Sequence, residues 1–352
     1  MLTVFKLEQA ERWDAVVRSF QQFDVYWLSG YVKAFQIHGD GEPLLFYYDD
    51  NLTRGINVVM MRDVAEDERF EGKLPKGCYF DFVTPYGYGG WIIEGEGVDD
   101  LFLSYDAWIR KNGIISEFVR FHPMVKNHNS CSAYYHVQML GEVVHIDLSS
   151  PEGIWSNFVS TNRTATRKAI KNGVKIYNGR FPAIFKEFRA IYDRTMDKDR
   201  ADAYYYFEEP FYTSILNDLP QNAQVFWAEK DDTVIAAAIM IYANHYMNYH
   251  LSGSLSEYGS LRPANLLIYE AALWGSANGY RSLYLGGGVG SERDNLFAFK
   301  RTFYKGELNR FFIGKRIHDA QKYNDLVQMH GEIHSTFFPL YRAGFERVKE
   351  QT

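Results

Sequence analysis

Apolar and polar positions follow two recurring patterns along this chain. "AERWDAVVRSF" (10–20) spaces its apolar residues by three and four and predicts an amphipathic helix. "PLLFYY" (43–48) and "INVVMM" (56–61) are β-rich runs around the polar, glycine-containing "DDNLTRG", which predicts a hairpin. "CYFDFV" (78–83) reads as the next strand, followed by the glycine-aromatic loop "TPYGYGG" (84–90). "LFLSYDAWIRKNG" (101–113) predicts a helix ended by Gly113, and "EFVRFHP" (117–123) a strand stopped at Pro123. The second half repeats this order. "QVFWAE", "KDD" and "TVIAAAIMIYA" (224–243) predict a hairpin, and "HYMNYHLSGS" (245–254) a strand. "PANLLIYEAALWGSANG" (263–279) predicts a helix with Pro263 in its first turn and Gly279 at its end, and "SLYLGGG" (282–288) the returning strand.

The parallel extends to single residues. Trp108, Asn112, Gly113, Ser116 and Phe118 align with Trp274, Asn278, Gly279, Ser282 and Tyr284. In each copy a Trp packs the helix, Asn-Gly ends it through a left-handed cap, and a strand returns at once. Together with the matching element order, this predicts a duplicated domain. The border is expected in "DLSSPEG" (147–153), giving units 1–148 and 149–352, the latter carrying a basic helix at 162–172 and a C-terminal helix.

Length and composition agree with two globular domains: 352 residues, rich in Tyr and Phe, with no apolar run near the roughly 20 residues of a membrane span. "MLTVFKLEQAERW" lacks a signal-peptide apolar region, so a cytoplasmic protein is expected. Cys78 and Cys131 make neither a disulfide framework nor a metal motif, and the net charge of −6 argues against a general polyanion or DNA binder.

Charge changes the picture locally. Between Glu152 and Glu187 there is no acid, whereas Arg163, Arg167, Lys168, Lys171, Lys175, Arg180 and Lys186 fall there. "TNRTATRKAIKNG" (161–173) predicts a helix capped by Thr161 or Asn162 and stopped by Gly173. Arg163, Arg167 and Lys171 share one stripe, opposite Ala165, Thr166, Ala169 and Ile170. Such a stripe near a helix N-terminus suits a phosphate or diphosphate, and equally a solvated face.

The glycines of "LYLGGGVGSERDNLFAFKRTF" (283–303) fit no standard phosphate loop: the dinucleotide pattern fails at Ser291 and Arg293, and no Walker motif occurs. Gly286 stands where the first half has Arg120, so a substrate could approach the strand end closely, with a plain flexible turn as the alternative. His122, His128, Cys131 and His136 fit no common zinc spacing, and no metal is expected. The run Tyr204 to Phe207 suits core packing better than a pocket wall.

The segments "NRTATRKAIKNGV", "RPANLLIYEAALWGSANGY" and "YLGGGVGSERDNLFAFKRTF", with "YVKAF", "TPYGYGG", "EFVRFHP" and "VHIDLS" in the first half, resemble the FemABX family. The resemblance covers most of the chain and implies an α/β (α+β) fold of two tandem GNAT-like domains, each a mixed, largely antiparallel sheet flanked by helices. It implies N-acyl transfer to an amine, without a metal, on a phosphate-bearing peptidoglycan-type or sugar precursor at the inner membrane face. By position, Lys33, Arg163 and Arg167 resemble the family's contacts to the precursor diphosphate, and Lys300 a lysine near the transferred acyl group. In the matching segments Lys171, Tyr86, Arg120, Asn265, Gly286, Gly287 and Gly288 are further substrate-binding candidates. Amine attack on an ester or thioester creates an oxyanion, for which Lys300 or an N–H near Gly286 to Gly288 is suited. His250 is a candidate for the amine's proton, with substrate-assisted transfer as the alternative. No charged helical arm is visible, and "SEYGSLRPANLL" lacks the [QR]-x-x-G-x-[GA] loop, so the donor stays open between aminoacyl-tRNA and acyl-CoA. The other readings are an acetyl-CoA-dependent N-acetyltransferase of an amino sugar and a non-catalytic module that binds a nucleotide-linked ligand.

Overall fold

A computed structural model describes residues 1–331 and 335–344. The chain opens with β1 (Leu2–Phe5), α1 (Ala10–Arg18) and α2 (Ser29–His38). The first predicted hairpin forms as β2 (Glu42–Asp49) and β3 (Thr53–Asp63), followed by β4 (Phe80–Val83) and β5 (Ile92–Gly95). Then come α3 (Val98–Lys111), β6 (Ile114–Arg120), the short α4 (His128–Cys131) and β7 (His136–Asp147). Helices α5 (Pro151–Asn157) and α6 (Ser160–Lys171) lead into β8 (Lys175–Gly179), α7 (Pro182–Asp199) and α8 (Glu209–Asp218). The second hairpin is β9 (Ala223–Lys230) and β10 (Thr233–Ala243), followed by β11 (Tyr246–Ser254) and α9 (Pro263–Ala277). β12 (Ser282–Gly286), α10 (Asn295–Arg301), β13 (Asn309–Ile317) and α11 (Ala320–His330) complete it.

Two compact units result, and neither is a continuous stretch. Unit 1 gathers residues 1–20, 39–139 and the described residues from 312 onward; unit 2 gathers 21–38 and 140–311. The single border expected at 147–153 therefore does not describe the division: α2 belongs to unit 2, and the C-terminal helix α11 to unit 1. Packing explains both placements. In α2, Gly30 lies so close to α8 that an added Cβ would sit 2.2 Å from the Asp218 carbonyl oxygen. Tyr323 and Leu326 of α11 pack with Val64, Phe70, Ile115 and Tyr341 in a small core of unit 1.

The duplication is visible in each unit taken by itself. Unit 1 orders its strands β1-β2-β3-β4-β6-β13, with β5 on β3; unit 2 orders them β8-β9-β10-β11-β12-β7. Each sheet is antiparallel except for one pair, β4 with β6 and β11 with β12. Both helices of the repeat end as predicted. Asn112 and Asn278 donate their side-chain amides to the carbonyls of Trp108 and Trp274, each at 2.8 Å, and Gly113 and Gly279 follow at φ 69° and 81°. The core of unit 2 fills the space between its sheet and α9, with Phe226, Met240, Leu266, Leu283 and Phe303 buried. That of unit 1 gathers Phe46, Phe82, Trp91, Tyr105 and Phe121 around α3.

Candidate active site

The chemistry-bearing residues of unit 2 lie around one irregularity in its sheet. β11 and β12 pair in parallel at Tyr246–Ser282, Met247–Leu283 and Asn248–Tyr284, where the ladder ends, while β11 runs on to Ser254. His250 is the extra residue of a bulge between β10 and β11, since Met240 pairs with Tyr249 and Ile239 with Leu251. A second bulge passes over Leu285 between β12 and β7. Bulges bend strands and end pairing, so the two parallel strands open at the C-terminal end of β12.

Lys300 of α10 reaches this end. Its ammonium donates to the Gly287 carbonyl at 2.7 Å, and burial lowers its pKa to about 8, against the opposing pull of the Asp294 carboxylate. The three glycines have distinct steric reasons. Gly286 sits at φ 81° with Lys300 Nζ 3.4 Å from where a Cβ would stand. At Gly287 a Cβ would press on the Glu142 carbonyl oxygen at 3.0 Å. At Gly288 it would meet the Glu292 carbonyl oxygen and Asp294 Oδ1, at 2.2 and 2.3 Å. Asp294 uses that room to accept from the Val289 and Phe297 N–H groups at 3.0 and 2.8 Å. The glycines thus close a turn over Asp294, which caps α10 and holds Lys300 in register. Sequence reasoning missed Asp294; the signal was its position just before the helical run.

His250 is half-buried against the rings of Tyr31 and Phe35, at 5.7 and 6.2 Å, and burial lowers its pKa to about 3. Neutral and weakly basic, it is poorly suited to take a proton near pH 7.

The basic helix, expected at 162–172, starts two residues earlier at Ser160, with Val159 as its N-cap and no side-chain cap. Asn162, read as a possible cap, is instead buried: its Oδ1 accepts from Asn265 Nδ2 of α9 at 2.9 Å, and its backbone carbonyl accepts from Thr166 Oγ1 at 3.0 Å. Asn265 thus ties two helices together. Asn162, Thr166 and Ala169 form the packing face, whereas Ile170, expected there, is exposed. Arg163 donates to the Phe158 carbonyl, Arg167 lies over the Trp155 ring at 5.2 Å, and Lys171 is exposed.

Lys33 lines a shallow groove of about 500 Å³ with Ile37, Glu209, Thr213 and Asn217. Its ammonium pairs with Asp218 at 2.9 Å, and Ser214 donates to the other oxygen of that carboxylate at 2.8 Å. The local charge at Lys33 is thereby cancelled. Tyr86 and Arg120 belong to unit 1, where Arg120 donates from Nε to the Gly87 carbonyl at 2.9 Å beside the Tyr88 ring. Phe207 is buried and stacks on Phe211 at 4.3 Å, while Tyr204 and Tyr205 are exposed. His122 accepts from two backbone N–H groups, and His128 stacks on Phe312. Among the described residues no group of three or more His, Cys, Asp or Glu could hold a metal ion, and no helix is long and apolar enough to cross a membrane.

Residues 160–301 match the family described as acetyltransferase (GNAT) domain. Among solved structures, FemX is similar at 12% identity, covering 92% of this chain and 99% of its own, with a TM-score of 0.67. The C-terminal domain of a protein assigned as a lysylphosphatidylglycerol synthetase from Agrobacterium fabrum is similar at 18% identity, covering 88% and 91%, TM-score 0.54. A conserved protein of unknown function from Bacteroides thetaiotaomicron is similar at 9% identity, covering 90% and 100%, TM-score 0.57. No curated protein sequence matches the chain. At these identities the structural likeness is one of fold, and the expected tandem GNAT-like arrangement stands. The family match falls on the unit whose parallel strands open beside Lys300, and the chain is accordingly an N-acyltransferase of the GNAT kind with a FemX-like fold.

Proposed function

We propose that unit 2 transfers an acyl or aminoacyl group to an amine of a phosphate-bearing cell-envelope precursor. The observation that carries this reading is Lys300, a half-buried ammonium held on the Gly287 carbonyl where β11 and β12 part. The amine attacks the carbonyl carbon of an ester or thioester, forming the C–N bond, and the C–O or C–S bond then breaks. Negative charge gathers on the carbonyl oxygen in between, where a positioned cation in a partly dry site stabilises it. The proton lost by the amine goes to the departing group or to the substrate's own phosphate; His250, with a pKa near 3, has no part in it. Arg163, in the first turn of α6, and Arg167, one turn further on, meet the phosphate. Lys33 contributes less, because Asp218 already neutralises it.

The choice of acceptor is supported by the likeness to FemX and to a protein named for joining lysine to a phosphate-bearing lipid. In this reading the protein works in the cytoplasm, at the inner membrane face. A charged tRNA or an acyl-CoA is the donor; the match to an acetyltransferase domain favours the second, with an amino sugar as an acceptor to be tried.

Turnover over a panel of acyl-CoA and aminoacyl-tRNA donors tests the reading. Lys300→Ala is expected to lower kcat about 100-fold with KM little changed. The ammonium form is present below the lowered pKa, so the wild-type rate falls as pH rises through about 8. Lys300→Arg removes that fall, since a guanidinium stays charged. A wild-type rate in Lys300→Ala would refute the role, and ligand affinity without turnover over the whole panel would make the protein a binding module.

A further inference from the structure

We infer that the rim of unit 2 formed by the outer face of α6, the edge strand β8 and Phe181 docks on an anionic lipid bilayer. The inference goes beyond the proposed chemistry and does not require it. α6 turns Asn162, Thr166 and Ala169 inward, which leaves Lys171 outermost, with Arg167 and Ile170, the latter 54% exposed, on one flank and Lys168 on the other. Gly173, at φ 73°, then turns the chain directly into β8, the last strand of the unit 2 sheet. Lys175 opens that strand in full exposure. Ile176 packs against the core on the α9 side, so Tyr177 faces the other way. There Tyr177 lies beside Trp227 at 5.7 Å with nearly parallel rings, and Phe181 meets Trp227 edge-on at 5.9 Å. Tyr177 and Phe181 remain 39% and 46% exposed. Lys175, two positions before Tyr177, shares that face, so the sheet edge carries a cation and two exposed rings beside the cations of α6.

Charge selects the partner. The acids on this rim are partly matched: Glu229 stands opposite Lys175 in the ladder, and Asp231 accepts from Lys230 at 2.8 Å, while Asp232 lies in the adjoining turn. Arg167, Lys168 and Lys171 are exposed with no acid in the chain from 153 to 186, in a protein whose net charge is −6. A nucleic acid would satisfy these cations but leave Ile170 and Phe181 in water. A bilayer takes both, with phosphate headgroups on the Lys and Arg side chains and the aliphatic and aromatic groups at the acyl boundary. Lys and Arg stems also extend over apolar surface while their charges stay at headgroup level.

Co-sedimentation of the full chain with vesicles tests this. Binding is expected to vesicles of equal parts phosphatidylglycerol and phosphatidylcholine, weakening with salt, and not to pure phosphatidylcholine. Lys168→Glu with Lys175→Glu is expected to lower the partition coefficient at least about ten-fold. Ile170→Ser with Phe181→Ser is expected to lower it about ten-fold with the salt dependence retained. Both pairs lie on the surface, and an unchanged melting temperature separates lost docking from lost folding. Equal partition of wild type and both variants, or equal binding to the two vesicle types, overturns the inference. So does salt-sensitive binding to tRNA without binding to vesicles. None of these readouts involves catalysis, so a failure here leaves the acyl-transfer reading standing.

Discussion

Units 1 and 2 share a strand order, a single parallel pair and an Asn-Gly helix stop, yet treat the end of the parallel pair in opposite ways. In unit 1 the strands stay closed past the ladder. Thr84 donates its N–H to the Phe118 carbonyl at 3.1 Å, its Oγ1 accepts from the Arg120 N–H at 3.2 Å, and Gly89 donates to the Arg120 carbonyl at 2.9 Å. The loop "TPYGYGG" is thus a seal. In unit 2 the equivalent ladder ends at Asn248–Tyr284, and the place of Arg120 is taken by Gly286. The interiors differ as well. Glu117, aligned with the core residue Leu283, is a buried carboxylate that accepts from Tyr135 and Tyr105 hydroxyls at 2.9 and 3.2 Å and from Asn57 at 3.3 Å. Its oxygen also lies 3.4 Å from His318 Nε2. Burial raises both tyrosine pKa values well above 10, so both hydroxyls remain donors. One copy of the fold has become a closed, internally bonded body, and the other keeps an opening with a cation at its lip.

Three substitutions would break or sharpen this contrast. Glu117→Ala has the largest expected effect, since it strands the donors gathered on one buried carboxylate: a loss of about 3–5 kcal/mol in denaturant unfolding. A loss below about 1 kcal/mol would show that the network does not hold unit 1 together. Gly286→Arg copies the unit 1 residue into unit 2. The left-handed φ of 81° and the closeness of Lys300 Nζ both oppose it, and kcat should drop about 100-fold while the far-ultraviolet circular dichroism stays that of the wild type. Retained turnover would mean that the open strand pair is not where the chemistry occurs. Arg163→Ala with Arg167→Ala is the mildest. α6, which leads through Gly173 into β8, belongs to unit 2 and carries the clamp there. KM for the phosphate-bearing acceptor should rise about ten-fold at low salt and less at high salt. A KM that does not move would remove the clamp.

Much of this was legible in the sequence, because the repeat is written in residues with strong local preferences. Trp-x-x-x-Asn-Gly fixes a packed helix and its stop, and each hairpin carries β-rich apolar runs around a polar turn. The position of the opening at Gly286 was also legible, from its alignment with Arg120. The reasons for the neighbouring glycines were not, because they depend on where Asp294 folds back, a contact set by the turn rather than by any one residue. The pairing of Lys33 with Asp218 spans 185 positions, and no local pattern signals it. The hydrogen bond between Asn162 and Asn265 misled for a related reason: a polar residue near a helix start looks like a cap until tertiary packing buries it. The exchange of segments between the units was invisible as well. Nothing local in the residues of α2 or β13 says which core they join.

That exchange has a consequence for synthesis. All the segments of unit 2 are present once residue 311 has been made, but unit 1, which opens the chain, lacks the partner of β6 until Phe312–Ile317 appears. The lobe begun first is therefore finished last. Until then β6 waits as an unpaired sheet edge, the kind of surface that recruits stray strands.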